Sequence, residues 1–230
     1  MFTNGTLSLK ELPGVFQFTQ KKELSCIFSD PEFRSKGLAC GCPEYLLSTE
    51  IITLLHYLPD LSQQALIATL LNTGAKISEA ICLTRNSFVL KSPYPYVQLM
   101  PVNTTSGGGK KITGPLSEKP SRYGRIIPLL NKNYVMQLKK FFFEHNQLHS
   151  SCENTPIWDI EGTMVVQWLN DAVCRAKKDG IRFEMNNITP IILRRSYAVY
   201  MLTLGIHPTI LEKIICGNHV SDLPPTVDFL

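Results

Sequence analysis

Residues 188–219 read ITPIILRRSYAVYMLTLGIHPTILEKIICGNH, and their pattern decides how the rest of the chain is read. Thr189-Pro190 is a natural helix start, because a hydroxyl can cap the first turn and proline is tolerated where no amide donor is needed. The spacing predicts a helix from about Ile191 to Thr203. Its apolar residues Leu193, Tyr197, Val199, Met201, Leu202 and Leu204 are too many for a narrow stripe, so the helix is expected to be mostly buried. Gly205 stands where a left-handed residue ends such a helix, and Pro208 opens a second one that stops near Gly217. The first helix carries just two charges, the adjacent Arg194 and Arg195 near its start.

A guanidinium on a buried helix keeps its charge and therefore needs an anion close by. One of the chain's own carboxylates can serve, as an internal salt bridge. The other reading is that Arg194 receives a phosphate.

The order TP-x-x-L-R-R-S-Y-A, helix, Leu-Gly-Ile, second helix, Gly-Asn-His resembles the second conserved box of the tyrosine recombinases, the phage integrases and plasmid resolvases. Residues 70–80, LLNTGAKISEA, resemble that family's first box, TG-x-R-I-S-E-A, and Gly124-Arg125-Ile126-Ile127-Pro128-Leu129 resembles its hairpin strand ending in R-x-(V/I)-P-L. The three motifs occur in the family's order and span residues 46 to about 220, with plasmid multimer resolvases as the nearest likeness. The resemblance implies a mainly α fold with a small antiparallel β-sheet, of the tyrosine recombinase catalytic-domain kind. It also implies double-stranded DNA as partner, other recombinase subunits beside it, and no cofactor.

The 230 residues suffice for one large domain, and 44% hydrophobic with 18% charged residues describe an ordinary globular chain. No apolar run is long enough to cross a membrane as a helix, and MFTNGTLSLKELPG has no basic segment followed by an apolar one, so a signal peptide is not expected. Seven cysteines at irregular spacing suggest free thiols and a cytoplasmic setting. Cys26, Cys40 and Cys42 lack the spacing and the histidine of a zinc site, so no metal is expected.

Net charge is +4, but its distribution carries more information than its size. Residues 91–140 hold Lys91, Lys110, Lys111, Lys119, Arg122, Arg125, Lys132, Lys139 and Lys140 against the single acid Glu118, which leaves the remainder net acidic. A solvated basic loop would show this pattern, and so would a surface that neutralises phosphates. Because the family-like hairpin lies in the same segment, Lys110, Lys111, Arg122, Arg125 and, from the second box, Arg195 are the expected DNA contacts.

Residues 1–45 are expected to form a short extension, too small for the separate DNA-binding domain that usually precedes the family's catalytic domain. Within it, residues 14–18 and 24–28 are short apolar runs that read as strands or packing segments. From residue 46 to 230 the chain reads as the catalytic-type domain. Ser48-Thr49-Glu50 starts a helix that runs toward Pro59, Asp60 or Ser62 caps a second that breaks at Thr73-Gly74, and Ile77 to Leu83 makes a short third. Strands are expected at 96–100 and 125–129, and helices at Tyr134 to His145 and Met164 to Lys178.

In the family a tyrosine attacks the scissile phosphodiester, arginines and histidines stabilise the transition state, and a hairpin lysine protonates the leaving 5′-oxygen. Carried over position by position, the first arginine falls on Lys76, which keeps the charge but loses the planar fork. The hairpin lysine falls on Lys119, with Lys110 and Lys111 as further candidates, and the second-box histidine falls on Ile191, which moves no proton. Arg194 matches the second arginine. The Leu-Gly-His box reads Cys216-Gly217-Asn218, with His219 one place late, and asparagine donates a hydrogen bond without shuttling a proton. No tyrosine follows Tyr200, Phe229 lacks a hydroxyl, and Tyr197 and Tyr200 read as core packing, so no nucleophile is assigned. The expectation is a DNA-binding member of the family with impaired strand transfer. The alternative is an active recombinase or resolvase that receives its nucleophile from another subunit.

Overall fold

The structure is a computed structural model that describes residues 31–32, 34–35, 44–100, 124–148, 155–185 and 187–216, the side chains of 145–148 excepted. Helix α1, Ser48–His56, starts where the Glu50 carboxylate accepts the Leu47 amide at 2.9 Å, and it buries Ile51, Leu54 and Leu55 on one stripe. Asp60 caps α2, Leu61–Thr73, by accepting the Ser62 amide at 3.0 Å. Every residue of α2 from Ala65 to Thr73 is buried, so it forms the centre of the domain.

Burying the polar residues of α2 would ordinarily be costly. Thr69 and Thr73 hydroxyls donate to the carbonyls of Ala65 and Thr69, both at 2.7 Å, and the Asn72 amide donates to Ala68 at 2.8 Å. Each of these three side chains thus returns to the helix's own backbone, which lets α2 be enclosed from Ala65 onward. Gly74 ends the helix with φ of 60°, its amide bonded to the Leu70 carbonyl at 3.0 Å. A short helix α3, Ile77–Ala80, follows, three residues shorter than its apolar pattern suggested.

The sheet has three antiparallel strands in chain order: β1, Phe88–Val89; β2, Tyr96–Leu99; and β3, Arg125–Pro128. The expected pair is present with Val97 opposite Ile127 and Leu99 opposite Arg125, and Val97, Leu99 and Ile127 face the core. Strand β1 was not foreseen, because two residues offer no alternation to read.

Helix α4, Lys132–Leu148, begins two residues earlier than expected, where the Asn131 side chain accepts the Asn133 and Tyr134 amides at 3.1 Å. Phe141 stacks on Trp158, whose indole donates to the Ser62 carbonyl at 3.0 Å. Helix α5, Gly162–Lys178, packs Val165, Leu169, Ala172 and Ala176 inward against α1. The helix pair that opened the sequence reading is present as α6, Pro190–Thr203, and α7, Pro208–Cys216. Between them Gly205 has φ of 79°. Helix α6 lies along α2, and α7 packs on α6 and β3.

The burial of α6 differs from its hydropathy. Arg194 and Ser196 are buried while Val199 and Leu202 remain partly exposed, because the face turned to α2 is set by helix geometry, not by the apolar count. The segments at 14–18 and 24–28 and the three cysteines Cys26, Cys40 and Cys42 lie outside the described residues. Among the described residues, no helix is long and apolar enough to cross a membrane, no cluster of potential metal ligands occurs, and Cys82 and Cys174 are exposed thiols.

Candidate functional site

The first box and α6 meet at Gly74. A Cβ built at this glycine would lie 2.4 Å from Cδ1 of Tyr197, so the absence of a side chain is what lets α6 approach the turn that leads into Lys76. Tyr197 stands one helical turn beyond Arg194. The contact therefore brings the Lys76 turn alongside the arginine helix.

The next residues lock that turn to the sheet. The Glu79 carboxylate accepts the Lys76 amide at 2.7 Å, in the manner of a capping box. The same carboxylate receives Arg125 of β3 in a two-pronged pair, Nη1 to Oε1 and Nη2 to Oε2, both 2.6 Å. Arg125 was expected among the phosphate contacts, but here both terminal nitrogens are engaged by Glu79 and its side chain is largely enclosed. Its charge is balanced inside the protein, and its position on the core-facing side of β3, opposite Leu99, explains why. The third nitrogen, Nε, is buried without a hydrogen-bond partner among the described residues.

Arg194 is 9% exposed, and Nη2 donates to the Ile215 carbonyl of α7 at 3.0 Å. Nη1 is buried and has no hydrogen-bond partner among the described residues. Of the two readings of this arginine, no salt bridge to a carboxylate is found among the described residues. A carbonyl offers a partial negative charge against a full positive one, so among the described residues the guanidinium meets no full counter-charge.

Tyr197 is core packing, as its spacing suggested, with the ring 1% exposed. Its hydroxyl is buried without a partner among the described residues. Burial pushes the phenol far above its ordinary range, while the nearby Arg125 charge pulls the other way. Tyr200 is raised as well, by burial.

Lys76 is exposed, Arg195 is partly buried on α6, and Ile191, at the histidine position, is 56% exposed at the first turn of α6. Lys110, Lys111, Lys119, Arg122, Asn218 and His219 lie outside the described residues. Sequence reading missed Glu79, although its place three residues after Lys76 is a capping-box signal. It also missed the Ile215 carbonyl, because no sequence pattern encodes a backbone acceptor on another helix.

No family model matches the chain. A resolvase of Escherichia coli strain K12 is 36% identical over 186 residues, 78% of this chain and 69% of that protein. An Escherichia coli protein named "Probable site-specific recombinase in afa region" is 32% identical over 160 residues, covering 70% of this chain and 60% of that protein. Among solved structures, XerA recombinase is similar with a TM-score of 0.55 and 20% identity, over 77% of this chain and 56% of that one. The Tn1549 transposon integrase in complex with transposon right end DNA is similar with a TM-score of 0.55 and 16% identity, over 76% of this chain and 58% of that one. The chain thus spans little more than half of these solved chains, and at such identities the likeness shows the fold. With the sequence likeness to the resolvase extending over more than two thirds of that protein, this chain belongs to the tyrosine recombinase family.

Proposed function

We propose that this chain binds duplex DNA with Arg194 against a backbone phosphate, and that its strand-transfer chemistry is impaired. One observation carries the first half: a buried, permanently charged guanidinium with one nitrogen on a backbone carbonyl and another without a partner among the described residues. A phosphate oxygen would supply the missing acceptor and the missing charge together. The basic run over 91–140 supports the same partner, since a concentration of cations in one segment suits a phosphate backbone. The names of similar proteins agree, since XerH recombinase was solved bound to its difH substrate and the Tn1549 integrase with transposon DNA.

The second half rests on two positions. Lys76 stands where the family resemblance puts an arginine and Ile191 where it puts a histidine, so planar two-oxygen grip and proton transfer are both lost there. Arg194, Arg125 and Glu79 remain as a charged scaffold. In this reading Arg125 is the strut that holds the hairpin, and Lys110, Lys111, Lys119, Arg122 and Arg195 reach phosphates along the duplex. Asn218 and His219 are the further residues that the family resemblance offers to the phosphate.

The test uses the full chain with a labelled duplex and with a nicked duplex that traps covalent intermediates. Binding that weakens with salt, at roughly 0.9 log units per contact for each log unit of salt, and no covalent adduct is the expected result. An adduct would favour the active enzyme with a nucleophile from a neighbouring subunit. Absence of salt-sensitive binding would remove the DNA reading altogether.

A further inference from the structure

Arg34 is 1% exposed, the most deeply buried charged side chain among the described residues, and it comes from the segment ahead of the domain. Its guanidinium pairs with two carboxylates, Glu50 of α1 and Glu184 of the connection before α6, and Nη1 also donates to the Tyr45 carbonyl at 3.2 Å. Nε adds a second bond to Glu184 at 3.1 Å. The Glu50 carboxylate in turn accepts the amides of Leu47 at 2.9 Å and Glu184 at 3.2 Å. Arg34 therefore joins three separate stretches of chain around one charge cluster.

The two stretches it fixes both lead to the arginine helix. From Tyr45 the next amide, that of Leu46, donates to the Ser196 hydroxyl at 2.8 Å, and that hydroxyl donates to the Ile192 carbonyl at 2.8 Å. Ser196 is two residues beyond Arg194 on α6. From Glu184 the chain passes through buried Met185 and Ile188 to the start of the same helix. The first two turns of α6 are thus held from the side and from the front by elements that Arg34 clasps together.

We propose that Arg34 is a positioning residue for Arg194: with Glu50 and Glu184 it fixes the start of α6, and through it the direction in which the Arg194 guanidinium meets DNA phosphate. This rests on the phosphate reading of Arg194. The clasp makes the buried Arg34 part of the binding machinery although its own guanidinium is enclosed by the protein. Glu184 is the informative arm, because its side chain is 46% exposed and its removal leaves the buried Arg34–Glu50 pair in place.

Affinity for a labelled duplex is measured by fluorescence anisotropy on the full chain, for the wild type, Glu184→Gln, Arg194→Met and the double variant, with thermal unfolding of each. Simple electrostatics predicts that losing a carboxylate tightens DNA binding. The clasp predicts the opposite: Glu184→Gln binds roughly fivefold more weakly, and adds nothing in the Arg194→Met background, as coupled residues do. Arg34→Lys, which keeps the charge but loses the fork, is expected to show an intermediate loss. Unchanged or tighter binding by Glu184→Gln, or an equal loss in both backgrounds, overturns the positioning role while leaving Arg194 in its own. If Arg194→Met alone leaves affinity unchanged, the phosphate reading falls, and the clasp's role in binding falls with it.

Discussion

Arg125 and Glu79 face each other as a two-pronged ion pair, both contacts 2.6 Å, across the junction of the hairpin and the turn that carries Lys76. The pair also uses a Glu79 oxygen that accepts the Lys76 amide, so one carboxylate holds the sheet and the first box in register. Glu79→Ala leaves Arg125 largely enclosed without a counter-charge and is expected to destabilise the fold by about 3 kcal/mol, measured by urea unfolding. The double change Glu79→Leu with Arg125→Met removes both charges and should recover more than half of that loss.

Gly74 has φ of 60° and no room for a Cβ against the Tyr197 ring. Gly74→Ala combines left-handed strain with a clash against a buried aromatic. It should cost about 2 kcal/mol or more, seen as a lower midpoint in chemical denaturation with an unchanged slope.

The helices and the strand pair were legible because their signals are local: Pro190 and Asp60 start helices, although the Thr189 hydroxyl makes none of the expected cap bonds, Gly74 and Gly205 end them, and alternation marks Val97 and Leu99 as core-facing. The position of Arg194 on a buried helix was legible for the same reason. Its Ile215 carbonyl partner was not, nor was the pairing of Arg125 with Glu79, because each joins residues far apart in sequence through geometry that periodicity does not encode. Arg34 was illegible for a further reason. A single arginine in a poorly patterned segment gives no sign of burial until two carboxylates from distant elements surround it.

Tyr197 ties stability to alkaline pH. Its phenol is raised by burial, with Arg125 acting against the shift, so the folded state keeps the proton that an unfolded tyrosine releases above about pH 10. Stability is therefore fully present below that pH and is lost as pH climbs toward the folded value. Tyr197→Phe removes about 1.4 kcal/mol per pH unit of that decline. Because it also removes a buried hydroxyl without a partner among the described residues, the variant should be at least as stable as the wild type at neutral pH, which thermal scans from pH 7 to 11 would read.

The basic segment gives an independent expectation. Replacing Lys110, Lys111 and Lys119 together with alanine should weaken duplex binding for every sequence alike and flatten the log-log salt dependence by up to about 2.7 units if all three meet phosphates. Titrations of two unrelated duplexes over a range of salt concentrations measure both effects. A loss confined to one duplex would instead assign these lysines to base readout.

In the DNA-binding proposal, Arg194 is held inside the protein for a DNA phosphate, and Arg194→Met separates that role from packing. Methionine fills similar volume without charge, so the fold should keep its unfolding midpoint or gain slightly, since a buried cation with no carboxylate partner among the described residues is exchanged for an apolar side chain. The measurement is the duplex dissociation constant of the folded variant beside that of the wild type, by anisotropy at a fixed salt concentration. A loss of at least about tenfold is expected, in line with removal of a charge-assisted contact. A folded Arg194→Met variant that binds duplex as tightly as the wild type would contradict it.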